Sequence, residues 1–244
     1  MLPLSTQQIV AVWERGQAAS NPDLGLLLLS AAFPRIPVKD LLSLTLGQRD
    51  ACLLRLRELT IGPELNCLTE CPGCRAHVEV EARCSDITFS DLKTPVVMSH
   101  QLNQDGFHLE FRPVIMRDLL AIRGFPEVGG ARETLLRRTI TTASHDGQPV
   151  DISEIPPALI GKLGDILGEQ DLQSEVRFRL TCPECGHSWA SLFDVVSFFW
   201  KEITVRAQRF LSEVQQLARA YTWSESEILA MSTARRRFYL DAIS

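Results

Sequence analysis

The spacing of apolar residues changes period several times along this chain, and each change marks a change of element. Ser5 and Gln8 have the spacing of a capping box, and Ile9, Val10, Val12 and Trp13 supply an apolar face behind it, which predicts a first helix. Asn21-Pro22 predicts a second start, with Asn21 as cap and Pro22 at the first helical position. The run Leu24 to Ala32 (LGLLLLSAA) is half the length needed to span a bilayer and lies between Pro22 and Pro34, so it reads as a buried helix. Thr45 and Gln48 form another box, and Leu53, Leu54, Leu56 and Leu59 follow, alternating with Arg55, Arg57 and Glu58 until Gly62-Pro63 stops the helix.

Beyond Pro63 the period falls to two. Leu65 to Thr69 and His77 to Ala82 alternate around a turn, and Glu175 to Thr181 and Ser188 to Phe193 do the same, predicting two β-hairpins far apart in sequence. Between them Gly106 to Val114 reads as a strand, and Arg117 to Ile122, Leu135 to Thr141 and Pro157 to Leu167 read as helices. Gly124 to Gly130 and Ser144 to Pro149 are loops by composition. The three- and four-residue spacing returns with Ile203, Ala207, Phe210, Leu211, Val214, Leu217, Ala218 and Tyr221. Ser224 and Glu227 then make a capping box with Trp223 and Ile228 at the staple positions, and a last short helix carries Arg235 to Ile243.

The expected fold is α+β, with helical N- and C-terminal parts around a discontinuous zinc-ribbon-like β unit that carries a mixed α/β insertion. Its boundaries are residues 1–64 for the N-terminal helices, 65–91 with 175–198 for the ribbon, 92–174 for the insertion and 199–244 for the helical tail.

Chemistry concentrates in the two hairpin turns. They read CPGC at Cys71 to Cys74 and CPEC at Cys182 to Cys185. A C-x-x-C turn aims two thiolates at one point, and four thiolates satisfy the tetrahedral preference of zinc. Gly186 permits the positive φ that brings backbone N–H groups to the sulfur. Cys71, Cys74, Cys182 and Cys185 are therefore expected to hold one structural Zn2+, with no open position for an activated water. Cys67, Cys84, His77 or His187 could replace a ligand; as small buried hydrophobes, Cys52, Cys67 and Cys84 need no metal.

Composition narrows the function. Among 244 residues a net charge of -5 argues against a chain that coats nucleic acid. Met1 to Leu4 lacks the basic start of a signal peptide, which leaves the seven cysteines to a reducing cytoplasm and favours metal over disulfides. No G-x-S-x-G, P-loop, G-x-G-x-x-G or H-E-x-x-H occurs, the five histidines are scattered, and no enzyme is expected. His145-Asp146-Gly147 reads as a turn rather than a dyad, and Glu79 and Glu81 as solvated. Two alternatives stay open. A nucleic-acid-binding zinc ribbon would carry basic strands, whereas the first arm here is acidic; a thiol-redox protein would place one CxxC at a helix start. Arg235-Arg236-Arg237 reads either as a solvated helix face or, with Phe238 and Tyr239, as a partner contact.

The stretch Ala218-Arg219-Ala220-Tyr221-Thr222-Trp223-Ser224, then Glu227-Ile228-Leu229, then Arg235 to Leu240, resembles a tail pattern of baseplate-hub assembly chaperones. These belong to T-even-like contractile phages and related phage-derived contractile injection systems. Leu46 to Leu59 with Gly62-Pro63, and Phe111-Arg112-Pro113 through Asp118-Leu119-Leu120, are similar to the injection-system members. The resemblance implies a non-enzymatic factor acting on tail or baseplate proteins, with no membrane and no small-molecule substrate. It also implies a bacterial cytosolic location or incorporation into a tail-like particle. The zinc ribbon is expected to fix a scaffold that presents the last helices, with Tyr221, Trp223, Arg235, Arg236 and Tyr239 in contact with a partner. The phage members do not depend on a cysteine-ligated metal, so the two knuckles set this chain apart from them.

Overall fold

Both early capping boxes form. The Ser5 hydroxyl accepts from the Gln8 backbone N–H and the Gln8 side-chain Oε1 from the Ser5 N–H, and Thr45 and Gln48 repeat the exchange. The computed structural model, which describes residues 1–89 and 98–243, places helices α1 (Thr6–Gly16), α2 (Asn21–Ala32), α3 (Val38–Leu41) and α4 (Leu46–Thr60) in this first stretch. Gly62, at φ +130°, turns the chain out of α4 in a conformation that favours glycine.

Asn21 differs from expectation. Ser20 occupies the cap position, Asn21 is the first helical residue and Pro22 the second. The Asn21 amide is used elsewhere, donating to Asp194 Oδ2 at 2.8 Å and Ser197 Oγ at 2.9 Å, 173 and 176 residues away. Leu24, Leu28, Leu29 and Ala32 are buried along α2. Among the described residues no helix is long and apolar enough to cross a membrane.

The first hairpin pairs β1 (Glu64–Glu70) with β2 (His77–Arg83), from Glu64 opposite Arg83 to Glu70 opposite His77. The insertion follows. Strands β3 (His100–Gln104), β4 (Phe107–Phe111), β5 (Ile140–His145) and β6 (Gln148–Pro149) form an antiparallel sheet in that order. Helices α5 (Met116–Ala121) and α6 (Val128–Thr139) interrupt the sheet, and α7 (Pro157–Gln170) packs on it. Two expectations are corrected here. The helix expected over Leu135 to Thr141 starts at Val128, inside the segment read as a loop, and stops at Thr139. The β-branched residues Ile140, Thr141 and Thr142 then form β5, because Ile140 buries its side chain against Phe111 and Leu109 of β4. Within the segment 144–149 read as loop, Asp146 and Gly147, both at positive φ, make the tight turn between β5 and β6.

The second hairpin pairs β7 (Arg177–Thr181) with β8 (Ser188–Leu192). Asp194 caps the long helix α8 (Val195–Tyr221) by accepting from the Ser197 N–H at 3.1 Å. α9 (Glu225–Ala230) and α10 (Thr233–Asp241) end the chain, α9 in the expected Ser224–Glu227 box.

One core joins both ends of the chain. Val12 of α1, Leu28 and Leu29 of α2, Leu53 and Leu56 of α4, and Val196, Phe199, Ile203 and Ala207 of α8 bury together with Leu65 and Val176 at the hairpin bases. Side chains of this size contribute roughly 1.5–3 kcal/mol each on full burial. The insertion builds its own core from Leu109, Phe111, Ile140, Leu159 and Leu163. It is tied back through Met116 N–H to Leu44 O at 3.0 Å and Gly47 N–H to Asp171 Oδ2 at 2.9 Å. The expected boundary between residues 91 and 92 lies outside the described residues.

Close approach of α1 to α8 depends on Gly16, where an added Cβ would overlap the ring of Trp200. Gly16→Ala is therefore expected to cost about 1–3 kcal/mol despite alanine's better helix propensity, read as a lower urea midpoint. A neutral or stabilising result would show that the ring can move aside.

Candidate metal centre

Each knuckle is a tight turn made by its own backbone. In the first, Arg75 N–H donates to Cys71 O at 2.8 Å and Cys71 N–H to Ala76 O at 2.9 Å. The second repeats this with Gly186 N–H to Cys182 O at 3.0 Å and Cys182 N–H to His187 O at 2.9 Å. The residue after the second cysteine is left-handed in both, at φ +71° for Gly186 as expected and +63° for Arg75, a non-glycine in the same role.

The knuckles face each other. The four sulfurs of Cys71, Cys74, Cys182 and Cys185 all lie within 4.8 Å of one another. The closest approaches cross between hairpins, 3.7 Å for Cys71 Sγ to Cys185 Sγ and 3.6 Å for Cys74 Sγ to Cys182 Sγ. A tetrahedron with metal–sulfur bonds of about 2.3 Å has an edge of about 3.8 Å, so the spacing fits a four-thiolate ion. Cys71 and Cys182 are buried and Cys74 and Cys185 exposed, one of each from either turn. Gly73 lets the turns close, since a Cβ there would stand 3.3 Å from the His187 ring.

The thiols share their protons unequally. Burial pushes Cys71 up, but the N–H groups of Cys74 and Gly73 and the thiols of Cys182 and Cys185 outweigh it and bring Cys71 to about 7. For Cys74 the Ala76 N–H lowers the value, while the Cys185 thiol, burial and the other thiols push it up to about 12. One thiolate is thus favoured and a second beside it penalised. A divalent cation removes that penalty, which is why this donor set suits one.

Of the alternative ligands, none joins the group among the described residues. His187 lies beside it, its ring stacked on Trp189 at 6.1 Å. His77 is exposed at the start of β2. Cys67 packs on the main core, and Cys84 meets Arg57 Nη1 at 3.8 Å.

The tail residues fall into two sets. Tyr221 and Trp223 stack at 4.5 Å and 14°, the Tyr239 ring meets Trp223 edge-on at 4.8 Å, and the Arg235 guanidinium stands 5.8 Å above Tyr239. Arg235, Arg237 and Phe238 are exposed. Arg236 is inside, only 1% exposed, with its Nε donating to Glu213 Oε2 at 3.0 Å and its Nη1 to Met231 O at 2.7 Å. It anchors α10 to α8 and presents nothing to a partner, which corrects both readings of it. Its signal in the sequence was Glu213, a lone carboxylate within the apolar stripe of α8. Arg57 is likewise inside, paired with Glu202 of α8 at 2.6 and 3.0 Å.

A family model described as T4 bacteriophage base plate protein matches residues 26–200. The matched span runs from α2 to the first turns of α8 and takes in both knuckles and the insertion; the aromatic tail lies beyond it. Comparison with curated proteins and with solved structures gave no match. Since the model covers well over half of the chain, this protein belongs to the T4 bacteriophage base plate protein family.

Proposed function

We propose that the protein is a non-enzymatic assembly factor or structural component of a contractile, phage-tail-like baseplate. In this reading one Zn2+ on Cys71, Cys74, Cys182 and Cys185 fixes a scaffold for protein contacts. The observation that carries it is the gathering of four sulfurs within 4.8 Å inside the span that matches the baseplate family. The ion clasps two hairpins and, with four protein ligands, leaves no coordination position for a reacting water. The half-buried aromatics Tyr221, Trp223 and Tyr239, with exposed Arg235 beside them, supply the contact, because aromatic and Arg clusters are the usual anchors of interfaces. Exposed Glu79 and Glu81 on β2 disfavour the nucleic-acid alternative.

Co-expression with the tube, spike, hub and wedge proteins encoded beside it, followed by affinity purification, tests the proposal. One of these proteins is expected to co-purify. The double variant Trp223→Ala/Tyr239→Ala is expected to weaken that contact by about 30-fold or more, the scale of a hot spot of about 2 kcal/mol. Failure to retain any baseplate protein would sink the assembly reading.

A further inference from the structure

A groove of about 750 Å³ lies between the two hairpins, floored by α8. One wall is β1, and four consecutive residues of it, Asn66 to Thr69, line the space. Cys67 and Thr69 look into the space from the same face as Val80 of β2, whereas Asn66 and Leu68 point to the opposite face and reach it over the edge of β1, so that edge borders the groove as well. Among the described residues β1 pairs only with β2, which leaves that edge with free N–H and C=O groups.

The lining has a definite chemistry. Leu68, Leu192 and Val205 are 63%, 56% and 65% exposed there, although each is apolar. Most charged groups in the groove are already engaged: Glu202 by Arg57, Arg209 by Glu213, and Asp194 by Asn21 and Ser197. Lys201 and Arg206 have no carboxylate partner among the described residues, so the charge left to a visitor is positive.

We propose that an extended segment of another protein, carrying apolar residues at alternate positions and carboxylates between them, docks here by adding as a strand to the edge of β1. Its backbone takes the free N–H and C=O groups, its apolar side chains cover Leu68, Leu192 and Val205, and its carboxylates meet Lys201 and Arg206. Four residues of edge span about 13 Å, enough to register a strand of four or five residues. The inference rests on the baseplate reading only in needing a protein partner. The tail contact and the groove are separate surfaces, so either can fail alone.

The test pans a display library of random twelve-residue peptides against the full-length, zinc-loaded protein, then measures the enriched peptides in synthetic, fluorophore-labelled form by anisotropy. Enrichment of alternating apolar residues with Asp or Glu is expected. Binding should weaken at least tenfold in Lys201→Glu/Arg206→Glu and in Leu68→Asp, with Lys201 and Leu68 exposed and Arg206 half-buried, and each variant is checked for an unchanged melting temperature. Trp223→Ala/Tyr239→Ala should bind as the parent does, which separates this site from the tail. Amide exchange at residues 66–69 should slow when the peptide is bound. Peptides without acidic residues, affinity unchanged by those groove variants, or exchange at 66–69 left unprotected would each overturn the proposal. A concentration-dependent dimer in sedimentation that Leu68→Asp abolishes would overturn it too, by assigning the groove to a second copy of this chain.

Discussion

Removing the metal is expected to lower the melting temperature by roughly 8–16 °C and to release the hairpin tips before the helical core. The magnitude follows from linkage. Free zinc held at about a thousand times its dissociation constant stabilises the folded chain by about 4 kcal/mol. In a protein near this size each kcal/mol moves the midpoint by roughly 2–4 °C. Structural zinc binds small domains with an apparent free energy of roughly 10–16 kcal/mol, which leaves room for the chain entropy of closing the 107 residues between Cys74 and Cys182, about 4 kcal/mol by the logarithmic rule. The tips go first because little else holds them. Among the described residues, their cluster adds Val78, Ala76 and Trp189 to the cysteines, whereas the hairpin bases share the large core of α1, α2, α4 and α8. Trp189 emission should therefore change on chelation while far-ultraviolet circular dichroism keeps its helical signal.

Elemental analysis of protein purified without chelator should find one zinc per chain. Cys182→Ser should lose most of it and Cys67→Ser none, since Cys67 stands outside the sulfur group. Well under one zinc in the parent, or loss of metal in Cys67→Ser, would refute the site.

The gathering of the four cysteines was legible because its determinants are local. Two cysteines three positions apart, with strands on both sides, specify a knuckle whatever lies between the pairs. The capping boxes at Ser5, Thr45 and Ser224 were legible for the same reason: each is closed by a residue three positions on. What the sequence hid depends on distant partners. Arg57 reads as the polar side of a leucine-rich helix until Glu202, 145 residues later, comes to meet it. Asn21 looks like a cap until Asp194 and Ser197 claim its amide. Ile140 continues the apolar spacing of the helix before it, and only the neighbouring strand decides that it pairs in a sheet. The groove was invisible for the same reason, since β1, β8 and α8 each contribute part of it. The resemblance at the tail and the family match to residues 26–200 rest on different stretches, so the assignment to baseplate proteins does not depend on the aromatic pattern.

Within the arginine run the three neighbours are expected to behave differently, and this separates stability from contact. Arg236→Ala should cost about 2–3 kcal/mol, because it leaves the Glu213 carboxylate, 10% exposed, with only the solvent-exposed Arg209 as its ion partner. The loss also frees Met231 O, removes the bond from Arg236 Nη1 to Thr6 Oγ1 and strips the cation from the face of Phe210, 5.0 Å away. Since Thr6 opens α1, the variant should loosen the N-terminus as well as α10. Urea unfolding reads the cost, and exchange of the α10 amides shows where it falls. Glu213→Leu/Arg236→Met should recover most of the loss, since both charges leave together and Arg209, 67% exposed, stays solvated. Arg235→Ala and Arg237→Ala, at exposed positions, should stay within about 0.5 kcal/mol of the parent. A small effect of Arg236→Ala would mean that α10 is held by Tyr239 and Leu240 in the apolar cluster of α8 and α9, and that the ion pair only rides on that packing.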